Sequence, residues 1–266
     1  MLINRPRHMF HILTPSLWPF FLASGLFFFV TGLAFSMHYI NYGYYILFIG
    51  LIILLTTAIF WFLDISREAV IDGFHTRIVR NGLTLGFLFF IASEVMLFFG
   101  FFWAFFHSAL SPAIDLGSIW PPKGLQYIKI SDFPFYNTLL LIFSGFSVTW
   151  AHRGISIGSF KSALDGLILT IFLGFFFIIL QGIEYFESTF NLQDGVYSSV
   201  FFLLTGLHGC HVIVGVVFLF FCFISLLYNH FLSDHYLRFV CAVWYWHFVD
   251  IVWILLFLTL YCWGSW

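Results

Sequence analysis

Apolar residues along this chain gather into seven long stretches divided by short polar breaks. A helix that crosses a bilayer needs about 20 such residues. The stretches at about 17–39, 44–63, 82–106, 135–150, 163–186, 197–228 and 237–263 meet or approach that length, the fourth being the shortest. The breaks carry the residues that end helices. Asn41 and Gly43 mark a tight turn after the first stretch, and Pro112, Pro121, Pro122, Gly124 and Pro134 punctuate the longest loop. Asn191, Asp194 and Gly195 form a short acidic loop after the fifth. The pattern predicts an all-α membrane protein, residues 1–266 forming a single integral membrane domain of seven transmembrane helices without internal repeats.

Composition fits that class. Hydrophobic residues make up 62% and charged residues only 8%, against about 25% charged in a soluble domain, so the chain could not cover a soluble surface. The net charge of −2 points to no nucleic-acid partner. Cys210, Cys222, Cys241 and Cys262 lie in apolar runs without paired spacing and read as small hydrophobes. The segment before the first stretch has Arg5, Arg7, His8 and His11 but no long apolar core, so no cleavable targeting signal is expected. The 41 phenylalanines suggest a thymine-rich genome, as organelle genomes often are.

Lysine and arginine set the expected orientation. With seven spans, one side holds Arg5, Arg7, Arg67, Arg77, Arg80, Arg153, Lys161 and Arg238, and the other only Lys123 and Lys129. The N-terminus is therefore expected on the negatively charged, matrix or cytoplasmic side. Trp18, Trp61, Trp120, Trp150 and Trp263 fall near the ends of the stretches, as interfacial anchors do.

Ionisable residues inside apolar spans are costly and mark where function should be sought. Glu94 sits near the middle of the third stretch. It reads either as a proton-exchanging or lipid-facing carboxyl, or as an acid bonded to a neighbouring helix. His208 and His211 in the sixth stretch, and His247 and Asp250 in the seventh, are each three residues apart and so share a helix face. Together with Glu94 they predict a mid-membrane polar layer linking the third, sixth and seventh helices, which is functional or simply holds the helices together. A bis-histidine haem would need His208 or His211 to face His247 at matched depth. A second dense patch, Asp64, Arg67, Glu68, Asp72, His75, Arg77 and Arg80, follows the second stretch. It reads as ordinary loop charge on the basic side or as a site for anionic lipid headgroups. No nucleophile triad, phosphate-binding glycine loop, zinc motif or pair of catalytic carboxylates is present.

Several segments resemble one family in order along the whole chain. They are Pro15-Ser-Leu-Trp-Pro19, the run from Ile91 through Glu94 to His107, Trp120-Pro-Pro122 and Thr149-Trp-Ala-His152. Gln181 with Glu184-Tyr185, Asp194-Gly-Val-Tyr197, Thr205-Gly-Leu-His-Gly-Cys-His-Val212 and the run from Trp244 to Trp253 complete the set. The chain resembles subunit III of cytochrome c oxidase. The resemblance implies seven helices in a pair and a group of five, with phospholipid in a V-shaped cleft between them. It implies no catalytic residue, metal or cofactor in this chain, with haem and copper in partner subunits and phospholipids bound here. The implied partners are subunits I and II, accessory subunits, and cytochrome c as substrate of the complex. The implied role is support of complex integrity and of sustained proton uptake during oxygen reduction to water, in the mitochondrial inner membrane or a bacterial plasma membrane. The family's buried glutamate corresponds to Glu94, and its lipid-headgroup residues to Arg67, Glu68 and His75. Leu63, Phe74, Ser225 and Val240 depart from residues frequent in the family and alter the expected headgroup contacts. Rival readings are a quinol-oxidase subunit III and a haem-carrying membrane anchor.

Overall fold

A computed structural model describes residues 9–114, 117–122, 124, 128–228 and 236–263, apart from the Val70 side chain. It is an all-α membrane protein with seven helices and no strand among the described residues. They are α1 (Trp18–Met37), α2 (Gly43–Val70), α3 (Arg77–Leu110), α4 (Phe133–Ser156), α5 (Phe160–Glu187), α6 (Val196–Leu227) and α7 (Leu237–Leu256), the last running on into a π-helical turn, Phe257–Trp263. All but α4 are long and apolar enough to cross a membrane. The chain forms two compact units, Met1–Leu83 and Thr84–Trp266, with the boundary inside α3.

The first unit is a tight antiparallel hairpin of α1 and α2. Four glycines, Gly25 and Gly32 on α1 and Gly43 and Gly50 on α2, repeat every seven residues along the contact face. They meet the partner backbone in one register: Gly25 opposite Leu54, Gly32 opposite Leu47, Gly50 opposite Phe29 and Gly43 opposite Ser36. A methyl group at Gly25 would stand 2.9 Å from the Leu54 nitrogen, and one at the other three would strike backbone outright. In lipid no hydrophobic force drives two apolar helices together, so close van der Waals contact between backbones must hold them. At 28 residues, α2 is about 42 Å long and overruns a hydrocarbon core of about 30 Å. Its charged end, Asp64 to Glu68, thus leaves the apolar layer. There the Trp18 indole donates to Asp64 Oδ2 at 2.6 Å, tying the start of α1 to the end of α2.

In the second unit α4 lies antiparallel along the whole of α5. A side chain at Gly154 would meet Ala163, Gly166 abuts Ala151 and the Ser147 carbonyl, the Ser147 and Thr170 hydroxyls are 2.7 Å apart, and Asn137 donates to Gln181 at 3.3 Å. This pairing explains why the fourth stretch reads short. Its Asn, Ser and Thr residues lower the apolar signal, yet Asn137, Ser144 and Ser147 are buried against α5 and α7. The helix is 24 residues long, where the sequence pattern suggests 135–150.

Helix α7 is the centre. Its most apolar window is 67% buried, against 33% or less for the other five apolar spans. Trp246 lies where Gly174 of α5 and Gly215 of α6 leave room, and its indole donates to Ser144 Oγ of α4 at 2.9 Å. Trp253 donates to Thr138 of α4 at 3.0 Å and meets Phe177 of α5 edge-on, centroids 4.8 Å apart. The segment of α3 in this unit reaches the bundle through long side chains. Phe98 rests on His211 and Phe248, and Phe105 and Phe106 rest on Trp263.

The glycine register yields a test. Gly32→Val should destabilise the hairpin by about 1–3 kcal/mol through overpacking. Gly82→Ala, whose methyl would meet nothing within 4 Å, should not. Thermal unfolding of detergent-purified variants measures the difference, and equal losses would sink the backbone-contact account.

Candidate functional site: a polar interior in the five-helix unit and a charged cluster at the end of α2

The intramembrane residues singled out in the sequence separate into three places. Glu94 of α3 meets His211 of α6, with Oε2 and Nε2 2.9 Å apart. The other ring nitrogen, Nδ1, lies 2.7 Å from the Leu207 carbonyl oxygen. A carbonyl only accepts, so Nδ1 carries hydrogen. A single proton is then left between Nε2 and Oε2. Whether it sits on the imidazole or the carboxyl, the pair has no net charge. The sites flank it with aromatic rings: Phe98 at 5.1 Å and Tyr245 at 6.3 Å from the His211 ring.

His247 and Asp250 of α7 turn instead toward α4. The Thr149 hydroxyl donates to the Gly145 carbonyl at 2.8 Å, so it accepts from His247 Nε2 at 3.3 Å. His247 Nδ1 is 3.8 Å from Asp250 Oδ2, and that oxygen lies over Gly145, where a methyl would approach it to 2.8 Å. His208 stands apart. It is fully buried, its ring between Trp253 at 5.2 Å and Phe177 at 5.6 Å, and neither nitrogen has a hydrogen-bond partner among the described residues. Direct links therefore join α3 to α6 and α7 to α4, where the sequence pattern suggests one layer through α3, α6 and α7. Among the described residues, neither His208 nor His211 is open to a bis-histidine pairing with His247. His208 is walled by two aromatic rings, and both nitrogens of His211 are engaged.

A fourth polar group was not singled out in the sequence as a site. Tyr261, in the π-helical turn, donates to Glu184 Oε1 of α5 at 2.6 Å, and the Asn137–Gln181 bond lies one helical turn away. Glu184 is 2% exposed. The signal was available, because Glu184 is an acid inside an apolar stretch just as Glu94 is. What the helical period could not supply is Tyr261, since the wider π turn re-aims that residue.

In the first unit, Glu68 and His75 come together and Arg67 does not join them. Glu68 Oε2 is 3.8 Å from His11 Nε2, and the His11 and His75 ring centroids are 5.7 Å apart. Arg67 is exposed on the last turn of α2. Burial lowers the His75 pKa below the usual range, as do His11 and, less strongly, Arg80, while Glu68 opposes the shift. His11 was not among the residues singled out. It lies before α1, where no periodicity points to a partner. Of the orientation residues, Arg5, Arg7 and Lys123 lie outside the described residues.

The family model for cytochrome c oxidase subunit III matches residues 8–265. The chain belongs to the cytochrome c oxidase subunit III family. Its similarity to individual members covers nearly its whole length. It is 45% identical over 264 residues to cytochrome c oxidase subunit 3 of Arabidopsis thaliana, covering 99% of this chain and 100% of the relative. It is 46% identical over 263 residues to that of Myxine glutinosa, with the same coverage. A third relative, from Formosania lacustris, is 46% identical over 258 residues, covering 97% of this chain and 98% of its own. The family segments Ile91–His107 and Thr205–Val212 supply the two sides of the Glu94–His211 contact.

Removing the Tyr261 hydroxyl should leave Glu184 buried with one donor fewer. Tyr261→Phe is expected to cost about 1–3 kcal/mol, measured by thermal unfolding against the parent. No loss would mean that the hydroxyl is dispensable to the carboxyl.

Proposed function

We propose that this chain is the non-redox core subunit of a mitochondrial cytochrome c oxidase, and that it sustains proton uptake and complex integrity while partner subunits reduce oxygen to water. Subunits I and II would carry the haem and copper, and cytochrome c would supply electrons to the complex. The observation that carries the reading is the Glu94–His211 pair. Its hydrogen bonds put one proton between two groups inside an apolar bundle, which supports a role in proton exchange. Plant and animal relatives support the mitochondrial inner membrane. The exposed guanidinium of Arg67, in the last turn of α2, supports binding of an anionic phospholipid headgroup.

The orientation reading places the N-terminus on the matrix side. In the five-helix unit, Arg153 at the end of α4, Lys161 at the start of α5 and Arg238 at the start of α7 share one end. His152 packs on Phe239 there, and Arg238 donates to Ser225 Oγ at 3.0 Å. Lys129 precedes α4 at the opposite end. A cysteine placed at Lys129 should be labelled by an impermeant reagent from the outer side of intact mitoplasts, and one at Arg153 only after the membrane is opened. The reverse pattern would overturn the topology.

Glu94→Gln separates proton exchange from packing. Glutamine keeps the size and hydrogen bonding of the side chain but cannot ionise. The haem spectrum and the initial rate of oxygen reduction of the complex should stay close to the parent, and activity should decline faster during sustained turnover. Endurance equal to the parent would leave Glu94 as a packing residue. Loss of a haem or copper signal would place it beside a redox centre and contradict the reading.

A further inference from the structure

Three elements of the five-helix unit bring buried polar side chains together at the end that Lys129 precedes. Asn137 lies one turn inside the start of α4, Gln181 and Glu184 lie in the last two turns of α5, and Tyr261 lies in the π-helical turn after α7. Their relative exposures are 0%, 5%, 2% and 2%. Asn137 Nδ2 donates to Gln181 Oε1 at 3.3 Å, and the Tyr261 hydroxyl donates to Glu184 Oε1 at 2.6 Å. One polar atom on each of the first three residues is left over. Among the described residues, Asn137 Oδ1, Gln181 Nε2 and Glu184 Oε2 have no hydrogen-bond partner.

The chemistry of these three atoms is unequal. Gln181 Nε2 only donates, Asn137 Oδ1 only accepts, and a carboxylate oxygen accepts. The two acceptors cannot satisfy each other. Turning both amides over exchanges the roles of Asn137 and Gln181 but again leaves one donor and two acceptors. The three groups are also neighbours. Gln181 and Glu184, three apart on α5, share a helix face, and Asn137 is bonded to the first of them. An unpaired polar group inside an apolar bundle is costly, so a set of three around one contact asks for a shared partner.

We propose that Asn137, Gln181 and Glu184 hold one internal water molecule. Water complements the set: its oxygen accepts from Gln181 Nε2, and its two hydrogens go to Asn137 Oδ1 and Glu184 Oε2. Three hydrogen bonds is the usual number for a buried water. A cation would face the amide hydrogens, and an anion would face two acceptor oxygens, so neither complements all three groups. The supply is close, because Asn137 and Glu184 each stand about one helical turn, ~5.4 Å, from the end of their helix. The bound water joins α4 to α5 and, through Glu184 and Tyr261, to the turn after α7. The site goes beyond the proposed function and does not depend on it, since it uses neither the Glu94–His211 pair nor the charged end of α2.

The test compares density maps of the intact complex from parent and Gln181→Met, recorded by electron cryomicroscopy at a resolution that shows ordered water. The parent should show one peak about 2.5–3.2 Å from the side-chain ends of Asn137, Gln181 and Glu184 together. Gln181→Met fills similar space but offers no donor, and should lose the peak. A parent map without a peak there, although waters elsewhere in the protein are visible, overturns the site. A direct contact between the Asn137 amide and the Glu184 carboxyl, which leaves the water no place, overturns it too. A peak of equal strength in both maps defeats the three-bond arrangement. Should Gln181→Met fail to assemble, the parent map decides alone by the same criteria.

Discussion

Trp246 can occupy the middle of the five-helix unit because three neighbours yield to it. Gly174 and Gly215 have no side chains where its ring lies, and Ser144 accepts its indole hydrogen. In lipid an unpaired N–H costs several kcal/mol, so a buried tryptophan needs both the space and the acceptor. Once this ring is seated, α7 is in contact with α4, α5 and α6 together. The aromatic residues further along the helix then follow in line: Trp253 against Phe177 and His208, then Tyr261 against Phe201. The inward polar face of α4 is explained the same way. Ser144 and Thr138 are acceptors for α7, and Ser147 and Asn137 serve α5.

The helices themselves were legible because apolar length is a strong signal and lipid leaves the backbone few alternatives. The ends were less so. α2 and α3 continue into Arg67, Glu68, Arg77 and Arg80, where long cationic side chains reach past the apolar layer. The polar interior was only half legible. Spacing of three puts His208 and His211 on one side of α6, but it cannot say which neighbour each meets. A rotation of about 100° per residue carries His211 to Glu94, while His208 three positions back faces the rings of α5 and α7. Likewise His247 meets Thr149, a residue in a quoted family segment whose partner only the fold supplies.

A shared proton makes the Glu94–His211 pair tolerable at its depth. A lone carboxylate in hydrocarbon is expensive, and so is a lone imidazolium. Here the Leu207 carbonyl holds one imidazole hydrogen, and the remaining proton lies between the two groups. The pair is neutral in either arrangement, so the bilayer penalty falls on changes of its proton count and not on its presence.

The first unit has a different division of labour. From Trp18 to Leu63 it contains no Asp, Glu, Lys or Arg, and its two helices are joined by glycine-to-backbone contacts, with Ser36 and Thr57 as the buried polar side chains among the described residues. Its chemistry is therefore confined to the ends, where α2 emerges. Trp18 binds Asp64, Thr76 holds Met9, and His11 and His75 close on Glu68. The apolar hairpin is rigid because its backbones touch, and that rigidity fixes where Asp64 and Glu68 stand relative to the start of α1. Groups carried by two chain segments can converge on a single point only when the distance between those segments is set, and in this unit the glycines set it.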